Sequence, residues 1–134
     1  MSLSGIAEGS QKVYDEFQKQ IGEMEVNAAL GERTCEMGQV GCRGYCSRDV
    51  LVDVYIPGED RVTYEKVKPA MVKNILNDHI VGGKVFKKAA SKEDYYTNLG
   101  KQTRVALEHG GSIDPESIDD YIKVGGYESL KKVL

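Results

Sequence analysis

No run of apolar residues approaches the roughly 20 that a membrane-crossing helix requires. No charged-then-apolar leader with a small-residue cleavage site opens the chain either. These two absences exclude direct membrane insertion and predict a cytoplasmic protein, with peripheral attachment at an inner membrane face as the alternative. Positive charge is not in excess: 18 Lys and Arg stand against 21 Asp and Glu, a net charge of −3. With lysines scattered among acids there is no basic patch, so no nucleic acid partner is expected. Cysteine is scarce, three in all, and an odd number gathered in one place argues against a secreted disulfide framework. With 134 residues, 40% hydrophobic and 29% charged, the chain can bury one modest core and an appendage but not a second full domain.

What is present centres on the stretch from Cys35 to Cys46, Cys-Glu-Met-Gly-Gln-Val-Gly-Cys-Arg-Gly-Tyr-Cys, which holds every cysteine. Gly38, Gly41 and Gly44 surround Cys42 and Cys46. Glycine permits positive φ and close backbone approach, and successive amides in such turns form concavities that stabilise anions, including cluster sulfides. Thiolates are the usual ligands of iron–sulfur clusters. Two other readings fit the same residues: plain reduced thiols, or a zinc site completed by His79 or His109. A Cys-x-x-x-Cys pair alone does not choose among them.

Along the chain, Ile6, Val13, Phe17 and Ile21 recur at helical spacing and predict one amphipathic helix from Ser4 or Gly5 to about Glu23. Met24, Val26, Ala28 and Leu30 alternate, which predicts a strand entering the cysteine loop. Val50 to Ile56 is rich in β-branched residues and stops at Pro57-Gly58, and Arg61 to Tyr64 follows at hairpin distance. Pro69 then sits where a helix would begin, with Val72, Ile75, Leu76, His79 and Ile80 on one face until Gly82-Gly83. His79, at the edge of that stripe, reads as a packing histidine. The expected sheet has three antiparallel strands packed on two helices.

The run Gly41-Cys42-Arg43-Gly44-Tyr45-Cys46-Ser47, then Leu51-Val52-Asp53-Val54, Tyr64 to Pro69 and Ile75 to Ile80, resembles the thioredoxin-like [2Fe–2S] ferredoxin domain. That domain occurs in the small iron–sulfur subunit of respiratory complex I and at the start of its NADH-oxidising flavoprotein relatives. The resemblance implies an α/β thioredoxin-like ferredoxin fold, truncated at its first strand, over residues 4–90, with a short helical C-terminal extension over 91–134. It implies that Cys42 and Cys46 are iron ligands, the second of two cysteine pairs. The first pair is expected just before Gly5-Ile6-Ala7-Glu8-Gly9-Ser10, where this sequence has Ser4, so an intact cluster is not expected on this chain as it stands. Cys35 matches no ligand of the family.

Residues 84–98 read as a polar linker. Beyond it, Asp114-Pro115 reads as a helix start, Gly125-Gly126 as a break, and Tyr127, Leu130 and Leu134 as the opening of another helix. The string Ile113 to Ile122, with Gly125-Gly126-Tyr127, is similar to the opening of the flavoprotein subunit of complex I and of related hydrogenases and formate dehydrogenases. It implies that this is the N-terminal piece of such a protein, with FMN and NAD(P)H bound in a downstream domain. The apolar residues of this tail are expected to pack loosely.

Two functions follow. One is an electron-transfer module of an NAD(P)H-dependent oxidoreductase, partnered by the other subunits of a multi-subunit complex. The alternative is a cluster-less docking module. Thioredoxin-type exchange is a third and weaker reading, because it needs Cys-x-x-Cys at a helix N-terminus, whereas here the spacing differs and the loop leads into a strand.

Overall fold

The computed structural model describes residues 3–23, 26, 30, 31 and 34–134. The chain is a small mixed α/β protein, and among the described residues its sheet has two antiparallel strands rather than three.

Where one N-terminal helix is expected there are two, α1 (Leu3–Ala7) and α2 (Ser10–Glu23). Gly9, at φ +89°, ends the first, since the left-handed region is open to glycine at little cost and cannot continue a right-handed helix. The break takes Ile6 off the face it was expected to share, and it is exposed while Val13 and Phe17 of α2 are buried. In the predicted strand after α2, Met24 and Ala28 lie outside the described residues. Val26 is helical and buried, and the Leu30 N–H donates to its carbonyl at 3.0 Å. That i to i+4 bond is helical, so at these two positions burial is met without a strand.

The hairpin forms as expected, from β1 (Val52–Val54) and β2 (Val62–Tyr64), with Val52 opposite Tyr64 and Asp53 opposite Thr63. The Glu59 N–H closes the turn onto the Ile56 carbonyl, with Gly58 at φ +87°. α3 (Pro69–Asn74) starts with proline in its first turn after an extended Lys68, the conformation a following proline favours. It runs on as a π-helix, Ile75–Val81, that buries Ile75, Leu76 and His79. Val13 and Phe17 of α2, Val72, Ile75 and Leu76 of α3, and Val54 and Tyr64 of the hairpin share one core.

Residues 84–98 are not a loose linker. Ser91 and Glu65 tie this segment to β2, through Ser91 N–H to Thr63 carbonyl at 2.8 Å and Glu65 N–H to Ala89 carbonyl at 2.9 Å. α4 (Glu93–Gly100) then buries Tyr95 completely. Charge dominates the sequence pattern here, yet a buried aromatic side chain such as Tyr95 anchors the segment through the large apolar area it removes from water. At the C-terminus, α5 (Ile118–Lys123) begins three residues after Pro115, with the Ser117 side chain accepting from the Asp120 N–H. Asp114 instead accepts from the Glu116 N–H two residues on, a local turn that competes with helix formation. α6 (Glu128–Val133) follows. Ile118, Tyr121, Ile122, Tyr127 and Leu130 are all roughly half exposed, the loose packing expected of this tail. Among the described residues no helix is long and apolar enough to cross a membrane.

Candidate metal centre

Cys42 and Cys46 flank a tight turn. Gly44, at φ +86°, turns its N–H back onto the Cys42 sulfur at 3.2 Å. A single 3₁₀ turn, Cys46–Arg48, then leads toward β1, with the Arg48 N–H bonded to the Tyr45 carbonyl. The result is two exposed free thiols with their sulfurs 3.8 Å apart. With metal–sulfur bonds of about 2.3 Å and tetrahedral angles, two thiolates on one metal ion stand about 3.8 Å apart. The pair therefore fits one metal of the implied cluster, and the Gly44 N–H supplies the kind of hydrogen bond to sulfur that tunes such centres.

What holds the turn is buried. The Arg43 side chain, 8% exposed, forms a forked ion pair with Asp53 in the middle of β1. It also donates to the Tyr95 hydroxyl at 3.0 Å and to the Gly111 carbonyl at 3.3 Å. Asp53 accepts a further bond from the Thr63 hydroxyl at 2.7 Å. Burial alone would lower the Arg43 pKa, but the hydrogen bond and charge of Asp53, with help from Tyr95, raise it above its ordinary value. The guanidinium is thus a permanent cation whose partner is fixed in the sheet. Tyr45 stacks edge-on against Tyr95 with ring centres 4.9 Å apart, under the Arg48 guanidinium.

The C-terminal segment is pressed against the same turn. Arg104 donates to the Arg43 carbonyl at 2.6 Å, and the Gly41 N–H donates to the Ile113 carbonyl at 3.0 Å. A side chain at Gly110 would meet the Cys42 carbonyl at 3.0 Å, and one at Gly111 would meet Arg43 at 2.8 Å. Two glycines are what allow the backbones to lie so close. On the other flank, the Ser4 hydroxyl donates to Asp49 at 2.6 Å, so the start of α1 sits against the residue three beyond Cys46. A cavity of about 750 Å³ opens between α2, the cysteine loop and β1.

Cys35 lines that cavity and packs partly against the core, and burial pushes its thiol pKa up. Among the described residues no group of three or more His, Cys, Asp and Glu side chains is placed to share a metal ion, so Cys35 does not join the pair. His79 is a packing residue. Its Nδ1 lies 2.8 Å from the Tyr64 hydroxyl, which also accepts from the Phe86 N–H. Burial lowers its pKa. Neither His79 nor His109 completes a zinc site with the thiols.

The sequence pattern pointed to Cys42 and Cys46 but missed Arg43, Asp53 and Tyr95. One signal was available: Asp53 is a lone acid inside the run Val50-Leu51-Val52-Asp53-Val54-Tyr55-Ile56, and a carboxylate within a buried strand needs a cation.

No family model matches the chain. A stretch of 38 residues, 28% of the chain, is 65% identical to the NADP-reducing hydrogenase subunit HndC of Solidesulfovibrio fructosivorans. The matched stretch spans only 8% of that relative.

Proposed function

We propose that this chain is an electron-transfer segment of an NAD(P)-linked oxidoreductase subunit, in which Cys42 and Cys46 are two of the thiolate ligands of a [2Fe–2S] cluster. The observation that carries this reading is the 3.8 Å sulfur separation, with the Gly44 N–H directed at one of the two sulfurs. The short similarity to a hydrogenase subunit supports the wider class and favours other subunits of a complex as partners. The thioredoxin-like ferredoxin fold of residues 4–90 belongs to the same proposal. So does the expectation that the first cysteine pair belongs near Ser4, whose hydroxyl lies against Asp49.

When bound, such a cluster supplies one-electron transfer. The chain's own residues do the rest. Cys42 and Cys46 hold one iron, Gly44 donates to the Cys42 sulfur, and Arg43, clamped by Asp53 and Tyr95, fixes the turn that sets the sulfur spacing. The exposure of both thiols leaves the metal within reach of a partner subunit.

Anaerobic reconstitution of the full-length parent protein with iron and sulfide, followed by electron paramagnetic resonance of the reduced sample, tests the reading, since this chain supplies only one of the two ligand pairs. We expect a thiolate-dependent iron signal that is lost in Cys42→Ser and Cys46→Ser and kept in Cys35→Ser. Iron binding indifferent to Cys42 and Cys46 would refute it. The second reading, a docking module without a cluster, is favoured by the exposed apolar residues of α5 and α6, since such surfaces mark contact sites.

A further inference from the structure

A second cavity, of about 340 Å³, adjoins the cysteine turn, and three arginines line it: Arg43, Arg61 and Arg104. Their charges are not balanced. Arg43 is in contact with Asp53, and Arg61 approaches the same carboxylate at 3.9 Å while donating to the Tyr55 hydroxyl. One acid thus serves two guanidiniums. Arg104 has no carboxylate partner among the described residues. It gives two N–H groups to the carbonyls of Gly110 and Arg43, which leaves three of its five donors unused. Glu108 also lines the cavity, but it is an exposed residue and forms no ion pair with any of the three arginines.

Three cations face Asp53 and the exposed Glu108 around a small space, an excess of one positive charge in a chain whose net charge is −3. General basicity does not explain this concentration. The hydrogen bond to the Tyr55 hydroxyl, and after it the charge of Asp53, hold the Arg61 pKa above its ordinary value against burial and the weaker opposition of Arg43, so all three guanidiniums stay charged. The donors that Arg104 and Arg61 leave open suit an anion with several acceptor oxygens. Guanidinium forks match the oxygens of phosphate pairwise, and a phosphomonoester carries about −1.5 to −2 at neutral pH.

We propose that Arg43, Arg61 and Arg104 form a binding site for a phosphate group. The site goes beyond the electron-transfer reading and does not depend on it, although Arg43 ties it to the turn between the two thiols. The phosphate is held by the open donors of Arg104 and Arg61 at the mouth, with Arg43 supplying fixed positive charge at the base.

Titration of the full chain with inorganic phosphate and, separately, with adenosine 5′-monophosphate tests this. Ionic strength is held constant with sodium chloride, and binding is read by calorimetry and by the arginine side-chain N–H resonances. We expect saturable binding that moves the Arg61 and Arg104 signals, weakened about tenfold by Arg104→Gln and by Arg61→Gln, each of which removes a charge-assisted contact. Equal affinity for the two ligands identifies the phosphate alone as what is recognised, and tighter binding of the nucleotide identifies a phosphorylated nucleoside. Arg61 is the more exposed of the two, so its variant decides the matter if Arg104→Gln does not fold. No saturable response at constant ionic strength, or binding unchanged in Arg61→Gln, would overturn the proposal.

Discussion

The two faces of the β1–β2 hairpin are both covered, and they are covered by opposite chemistry. On one face Val54 and Tyr64 pack with Val13 and Phe17 of α2 and Val72, Ile75 and Leu76 of α3. On the other, Asp53 and Thr63 meet Arg43, Tyr95 and Tyr96, the last accepting the Thr63 N–H at 2.8 Å. The apolar face is non-directional, so it stabilises the hairpin without dictating where any loop must lie. The polar face is directional, and each of its bonds fixes an angle. A thiol pair that must keep its spacing is attached to the second.

The sharpest way to break this comparison is to remove Asp53. Asp53→Ala leaves the Arg43 guanidinium buried without its carboxylate, and loss of one partner of such a pair costs about 3–5 kcal/mol. Chemical denaturation should show a loss of that size, and a loss below about 1 kcal/mol would mean that water reaches the guanidinium freely. On the apolar face, Val54→Ala removes two buried carbons and should cost about 2 kcal/mol in the same experiment, without altering metal binding by the cysteine turn. Arg43→Lys is expected to do the reverse. It keeps the charge and loses the fork, so stability falls little while affinity of the thiol pair for cadmium, read from its thiolate absorption, drops about 10-fold or more. Equal affinity in the lysine variant would show that the fork does not set the sulfur spacing.

The smallest effect concerns His79. Burial holds its imidazole below the ordinary value of 6.5, so the unfolded chain takes up a proton where the folded chain does not. Stability is unaffected above that value and falls as pH drops below about 6.5 toward the lowered folded value. Thermal midpoints measured from pH 7.5 to 5.5 should decline, and His79→Gln should flatten the decline.

The hairpin and α3 were legible because each is marked locally, by a β-branched run ended by Pro57-Gly58 and by Pro69 ahead of a helical stripe. The cysteine turn was legible for the same reason. What escaped depends on partners distant in sequence. Nothing within ten residues of Arg43 announces Tyr95 or Gly111, and the charges of residues 84–98 conceal that Ala89 and Tyr95 reach the core. Gly9 was a different failure. A single glycine inside a helical pattern is often tolerated, and only its φ of +89° reveals that here it separates two helices.

The bond from the Gly41 N–H to the Ile113 carbonyl, 3.0 Å long, makes one amide of the cysteine loop a clock for the C-terminal segment. That hydrogen exchanges with solvent only when residues 110–115 lift away, because its acceptor belongs to them. Its exchange rate therefore counts those openings, and any subunit that seizes α5 and α6 from outside should be audible at Gly41 as a change in protection before any change at the thiols is seen.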